Sequence, residues 1–162
     1  MLTRLLLMRH AKSSWADESL TDHKRPLSKR GRRAATNVGA ALHVRGFAPD
    51  MIWSSDSTRT RETAMRLIRN IPGAQSVEGI PAFYHASAQK VLDICEQRGE
   101  PEKPVMLLGH NPGWAALHNY FSRQPHPFPT GACSVLMRAN DGHWLSPQSW
   151  KSVDLILPRE LE

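Results

Sequence analysis

The chain has 162 residues, 40% hydrophobic and 22% charged, proportions that exclude a disordered or fibrous polymer and lead us to expect a single folded domain over residues 1–162. No apolar run nears the ~20 residues of a membrane span and no signal-peptide pattern opens the chain, so cytoplasmic residence without a membrane partner is expected. The formal charge of +6 is concentrated: residues 1–70 hold fourteen Lys or Arg against six Asp or Glu, whereas residues 71–162 hold seven against nine.

The continuous apolar run Leu5–Met8 predicts a strand buried on both faces. Residues 11–26 are polar loop, after which Ser28 is placed to cap a helix, with Leu27 as its hydrophobic staple. Ala34, Ala35, Val38, Ala41 and Leu42 keep helical spacing to about Arg45, and Gly46 is placed to end the helix. Asp50–Trp53 reads as a second strand. Ser54–Thr58 supplies caps for a second helix with Ala64, Leu67, Ile68 and Ile71 on its apolar face.

Residues 75–84 predict a third strand and a loop broken by Gly79 and Pro81, followed by a helix over 87–98. Val105–Leu108 is the fourth strand. Asn111 is placed as N-cap and Pro112 as the first residue of a helix through Phe121. Gln124–Gly131 is Pro-rich loop, and Cys133–Met137 and Ser152–Leu157 read as antiparallel neighbours. Cys95 and Cys133, the only cysteines, are too distant for a disulfide framework or a zinc motif and read as buried, inert thiols.

Strands alternating with helices predict an α/β fold: a three-layer α/β/α sandwich whose sheet is mainly parallel with an antiparallel element. Ligands of such sheets bind beyond the carboxyl ends of the strands. Three polar clusters fall at predicted strand ends: Arg9-His10, Ser54–Arg59 and His110-Asn111. Histidines and arginines gathered there repel one another unless an anion joins them, and phosphate fits the planar donor fork of Arg and the free N–H groups of nearby helix N-termini. Surrounding positive charge keeps an imidazole neutral and able to attack phosphorus.

Four segments carry a family resemblance. Leu7-Met8-Arg9-His10-Ala11-Lys12, Arg25-Pro26-Leu27-Ser28-Lys29-Arg30-Gly31, the stretch Ser54–Thr63 and Gly109-His110-Asn111-Pro112-Gly113 together resemble the histidine phosphatase superfamily, phosphoglycerate mutase-like in fold, and within it the short SixA-type phosphohistidine phosphatases. The resemblance implies that His10 is the nucleophile and that Arg9, Arg59 and His110 grip the phosphoryl oxygens, joined by Arg25. It implies a double displacement without metal or cofactor, on a phosphorylated protein or a small phosphorylated substrate. Lys12, Ser13 and Asn111 are further candidates for substrate contact.

Two departures shape the expectation. Ala11 stands where the superfamily usually has glycine. Where many members place a carboxylic acid, this chain has Ile80–His85, so His85 is the candidate proton donor, with Glu78 behind it. A missing carboxylic acid favours a labile N-linked phosphoryl group over an ester. Only residues 86–104 lie where larger relatives insert a helical lid, so an open pocket is expected.

Other residues read more plainly. His23, His43, His118, His126 and His143 are assigned to the surface or to supporting positions, and Arg30, Arg32, Arg33, Arg61, Arg66 and Arg69 to solvated helix faces. Trp53, Trp144 and Trp150 are assigned to core or rim, while Trp15 and Trp114 are candidates for either pocket wall or sheet packing. No histidine spacing fits a metal site. A small phosphate ester is the rival substrate. A basic nucleic-acid binder or an inactive phosphate-binding module is the rival class, although no RNA-binding signature is present and no nucleic acid is expected as partner.

Overall fold

The computed structural model describes residues 1–162. Six strands, β1 (Arg4–Arg9), β2 (Met51–Ser54), β3 (Ser76–Gly79), β4 (Val105–Gly109), β5 (Cys133–Arg138) and β6 (Trp150–Ile156), form one sheet in the order β3-β2-β4-β1-β5-β6. The first four are mutually parallel, and β5 and β6 add two antiparallel pairings at one side. Four helices, α1 (Lys29–Val44), α2 (Thr58–Ile68), α3 (Ala88–Arg98) and α4 (Gly113–Ser122), complete the α/β fold expected from the sequence.

Alternation along β1 shows how the layers form. Leu5 and Leu7 join the apolar cluster under α3 and α4, whereas Leu6 and Met8 join the one under α1 and α2. All four are fully buried. Burial of each such side chain contributes about 1.5–3 kcal/mol, so this central strand anchors both layers. By contrast, every residue of β3 is exposed, and it is an edge strand only four residues long.

The predicted caps are largely as expected. Ser28 Oγ accepts from Gly31 N at 3.0 Å and Ser57 Oγ from Thr60 N. Gly46 adopts φ +77°, the left-handed geometry that ends α1. Leu27 packs with Ala11 and Ala35 in a small separate cluster, which accounts for alanine at position 11.

Some boundaries are corrected. The third strand stops at Gly79 because Pro81 opens a 3-10 turn, and Ile71 is buried beyond the end of α2. Helix α4 starts at Gly113, so Pro112 flanks it; Asn111 caps from one residue further out, its Oδ1 accepting from Ala115 N at 3.1 Å. The last strand begins at Trp150, directly after a 3-10 turn over Pro147–Ser149.

Among the histidines assigned to the surface or to supporting positions, His118 takes a supporting one, beside the Phe128 whose carbonyl holds Arg9 and Asn111. It is buried, paired with Ser134 Oγ at 2.9 Å and stacked on Phe128. Trp114 belongs to the core, where its Nε1 donates to Leu107 O at 3.0 Å. Both cysteines are free and buried, and burial pushes the Cys95 thiol up to about 12.

Candidate active site

Because β2, β4 and β1 are neighbours, their carboxyl ends open side by side. The chain leaving each end is stitched to the next strand: His10 N donates to Gly109 O and Ser55 N to Leu108 O, both at 3.0 Å. Gly109 is required here, since a Cβ would overlap the Trp114 ring beneath the site. The three polar clusters therefore meet in one cavity of about 470 Å³, lined by Arg9, His10, Lys12, Ser13, Trp15, Arg25, Arg59, His85, His110, Asn111 and Thr130. Every candidate for catalysis or substrate contact named from the sequence is among them except Glu78, which is a correction: it does not line the cavity and is ion-paired with Arg98 of α3.

His10 is nearly buried, and its Nδ1 lies 2.7 Å from Ala11 O. A carbonyl oxygen can only accept, so Nδ1 carries the hydrogen and Nε2 keeps its lone pair. Nε2 has no partner within the protein and is not among the buried unpaired atoms, so it is open to the cavity. Burial, opposed by the Ala11 hydrogen bond and reinforced by Arg59, Arg9 and Arg25, lowers the His10 pKa to about 4. The ring is therefore a neutral base at pH 7.

The loop behind His10 is tied to α2. Ala11 N donates to Thr63 Oγ1 at 3.0 Å, and the Thr63 hydroxyl donates to Arg59 O at 2.7 Å. Arg59, in the first turn of α2, is thereby held in register with His10. Its guanidinium lies 3.5 Å from His110 Nδ1. A guanidinium can only donate, so His110 carries its hydrogen on Nε2 and donates to Ser55 Oγ at 2.9 Å. The His10 and His110 rings are 5.2 Å apart, and burial, then His10, Arg59 and His85, hold His110 well below its ordinary pKa.

Arg25 is buried with its guanidinium 3.2 Å above the Trp15 ring. It donates to Ser14 O at 3.2 Å, to Asp22 Oδ1 at 2.9 Å and to Ser13 Oγ. Ser13 thus acts by holding Arg25, and Trp15 is the pocket wall. Arg9 donates to Phe128 O at 3.3 Å while its Nε is buried without a partner. Asn111 Nδ2 donates to the same carbonyl at 2.8 Å, so the Pro-rich loop helps aim both side chains. Burial and then Arg59 pull the Arg9 guanidinium below its ordinary pKa. This crowding of cations is what a bound oxyanion would relieve. The N–H groups expected from α2 are less free than expected, because Ser57 Oγ already takes Thr60 N.

Asp22 and Tyr84 were not foreseen. Asp22 Oδ2 accepts from Arg59 at 3.0 Å and from the Tyr84 hydroxyl, and its backbone oxygen accepts from Arg59 at 2.6 Å. Burial pushes the carboxyl up, but the hydrogen bonds from Tyr84, Arg59 and Arg25 outweigh it and hold Asp22 well below the usual carboxylate range. Asp22 is one of three carboxylates in the loop of residues 11–26, with Asp17 and Glu18, and nothing in the sequence singles it out. His85 has φ +53° and stacks on Tyr84 at 4.0 Å, with Nε2 3.4 Å from both Asp22 Oδ2 and the Arg59 guanidinium. The left-handed backbone turns its ring over the cavity.

The model of the histidine phosphatase superfamily (branch 1) matches residues 5–83. An uncharacterized chloroplastic protein of Arabidopsis thaliana is 35% identical over 170 residues, covering 96% of this chain and 78% of that protein. A solved structure from Agrobacterium tumefaciens that carries the SixA phosphohistidine phosphatase name has a TM-score of 0.81 at 28% identity, covering 98% of this chain and 99% of that one. One from Nakamurella multipartita with the same name has a TM-score of 0.79 at 27% identity, covering 96% of each. The chain belongs to the histidine phosphatase superfamily and is a histidine-nucleophile phosphatase of SixA-like structure. No helix is long and apolar enough to cross a membrane.

Proposed function

We propose that the protein hydrolyses phosphohistidine carried on another protein, with His10 as the nucleophile. Its Nε2 lone pair attacks phosphorus as the P–N bond of the substrate breaks, and the departing imidazole takes that electron pair and a proton. Water then attacks the phosphoryl group on His10, giving its proton to His85, which the first step leaves deprotonated; the new N–P bond breaks, its electron pair returns to Nε2, and inorganic phosphate leaves. Arg9, Arg25, Arg59 and His110 hold the equatorial oxygens throughout, so catalysis is positioning and charge stabilisation by the chain's own residues. Negative charge arriving beside His110 raises its affinity for a proton, which lets Nδ1 turn from acceptor to donor.

The observation that carries this reading is the state of Asp22. The carboxylate nearest the site is held ionised by Arg25, Arg59 and Tyr84, so it has no proton to give at neutral pH. An alkoxide leaving group needs a strong acid, whereas the imidazole of phosphohistidine leaves readily. His85, next to Asp22 and half-exposed, is the proton donor in this scheme. Access also supports a protein substrate: only α3 and its flanking turns separate His85 from β4, leaving the cavity open to solvent.

The same position of His85 favours a second reading, a small phosphate ester protonated by that ring. Initial rates with a histidine-phosphorylated protein, free phosphohistidine and a panel of alkyl and aryl phosphates separate the two. The phosphohistidine substrates are expected to give kcat/KM at least about a hundredfold above any ester; an ester preference rejects the proposal.

A further inference from the structure

The catalytic cavity does not end at its rim. Lys12 and Thr130 line both it and an adjoining cavity of about 230 Å³, and Arg30, Ala34 and Pro158 carry that space into a third of about 590 Å³. The join is built by close packing. Gly131, at φ +78°, donates its N–H to His10 O at 2.9 Å, and a Cβ there would lie 2.8 Å from Pro158. The C-terminal turn is therefore pressed against the loop that carries the nucleophile.

Along this trough the exposed cations are Lys12, Lys29, Arg30, Arg33 and Arg159, and the one carboxylate is Glu162, 3.5 Å from Arg30. None of these cations is used by the chemistry above; Lys12, at the junction, also lines the catalytic cavity. We propose that the trough docks an acidic segment of the phosphorylated protein, next to the phosphorylated side chain as it enters the cavity. This inference rests on the reading that the substrate is a protein.

Charge complementarity selects an anionic occupant, and the lining selects a peptide over a nucleic acid. Ala34, Pro129, Leu157 and Pro158 give a small apolar surface with no aromatic ring on which a base could stack. Glu162 would repel a phosphate backbone but can accept a peptide N–H. Four of the five cations of the trough come from α1 and the loop before it, within the basic first 70 residues.

Two peptides phosphorylated on one central histidine, one flanked by Asp and Glu and the other by Ser and Ala, provide the test, together with free phosphohistidine. The wild type is expected to show a KM about tenfold lower for the acidic peptide. Arg30→Glu/Arg33→Glu/Arg159→Glu is expected to abolish that preference while leaving kcat/KM on free phosphohistidine unchanged. Glutamine at the same three positions, which removes charge without reversing it, should fall between, and guards against a folding defect. Equal KM values for the two peptides in the wild type, or a preference that survives charge reversal, overturn the proposal.

If none of the phosphohistidine substrates is turned over, it is the proposed function that fails. Anisotropy of the labelled, unphosphorylated acidic peptide then decides the docking surface: salt-sensitive binding lost on charge reversal supports it, and no binding overturns it. Binding of a single-stranded oligonucleotide in place of the acidic peptide overturns it too.

Discussion

At the scale of single residues, function turns on which groups hold protons. His10 is a neutral base because burial and three guanidinium groups oppose its charge, and because the Ala11 carbonyl selects the tautomer. Asp22 is the counterpart, an ionised carboxylate that clamps Arg25 and Arg59 without joining the chemistry. Asp22→Asn is expected to lower kcat by about tenfold or more, because the two guanidinium groups lose their common anchor. Phosphate, as product inhibitor, should bind more tightly to that variant, since a negative charge beside the anion has gone. Steady-state kinetics with phosphate inhibition checks both, and a rise in kcat would contradict the clamp. Arg59→Ala removes a donor that also holds Tyr84 and His85 in place through Asp22. A loss of about a hundredfold or more in kcat is expected.

Among the elements, packing of loops on helices sets the register of the site. Ser28 N donates to Lys12 O at 2.9 Å and Ser14 N to Pro26 O at 2.8 Å, so the loop after His10 lies along the start of α1. Gly31 makes this contact possible, because a Cβ would overlap the Lys12 backbone. Gly31→Ala is expected to destabilise the protein by about 1–3 kcal/mol and to reduce activity with it, since the atom displaced is backbone of the active loop. Thermal melting and turnover measured together check this; unchanged activity would place the loop outside the site.

The same elements show what was legible in the sequence. The apolar run of β1, the Ser28 and Ser57 caps and the residues at three strand ends could be read because each depends on local pattern and on the strand-end rule. Asp22 and Tyr84 could not, because their role arises only when a 3-10 turn and a second loop, 62 residues apart, meet over Arg59. For His118 the surface and a supporting position stayed open because its partner, Ser134, lies on another element. Glu78 was a candidate by position alone, and the alternation of β3 carries it to the Arg98 side.

For the molecule as a whole, a basic half-chain and the depressed imidazoles of His10, His110 and His118 set the response to pH. His10 titrates near 6.5 when unfolded and near 4 when folded, and His110 is lowered further. Between these values the unfolded chain binds more protons, so this contribution is fully present above pH 6.5 and is lost as pH falls toward 4. For His10 alone the span corresponds to about 3 kcal/mol. Denaturant midpoints should fall across that window, and His10→Asn should flatten the dependence. A wild-type midpoint constant from pH 7 to 4 would show that neither ring is held neutral. In the absence of an anion, the cations of the cavity repel one another; bound phosphate or tungstate should raise the melting temperature, with the effect weakened in Arg9→Ala.

The central claim is that His10 accepts the phosphoryl group. Rapid-quench trapping with a ³²P-labelled histidine-phosphorylated protein tests it most directly. The account expects transient, acid-labile and alkali-stable label on the peptide carrying His10, absent in His10→Ala and slower both to form and to decay when His85 is replaced by Gln. Turnover at the wild-type rate by His10→Ala, or label found only elsewhere in the chain, would contradict it.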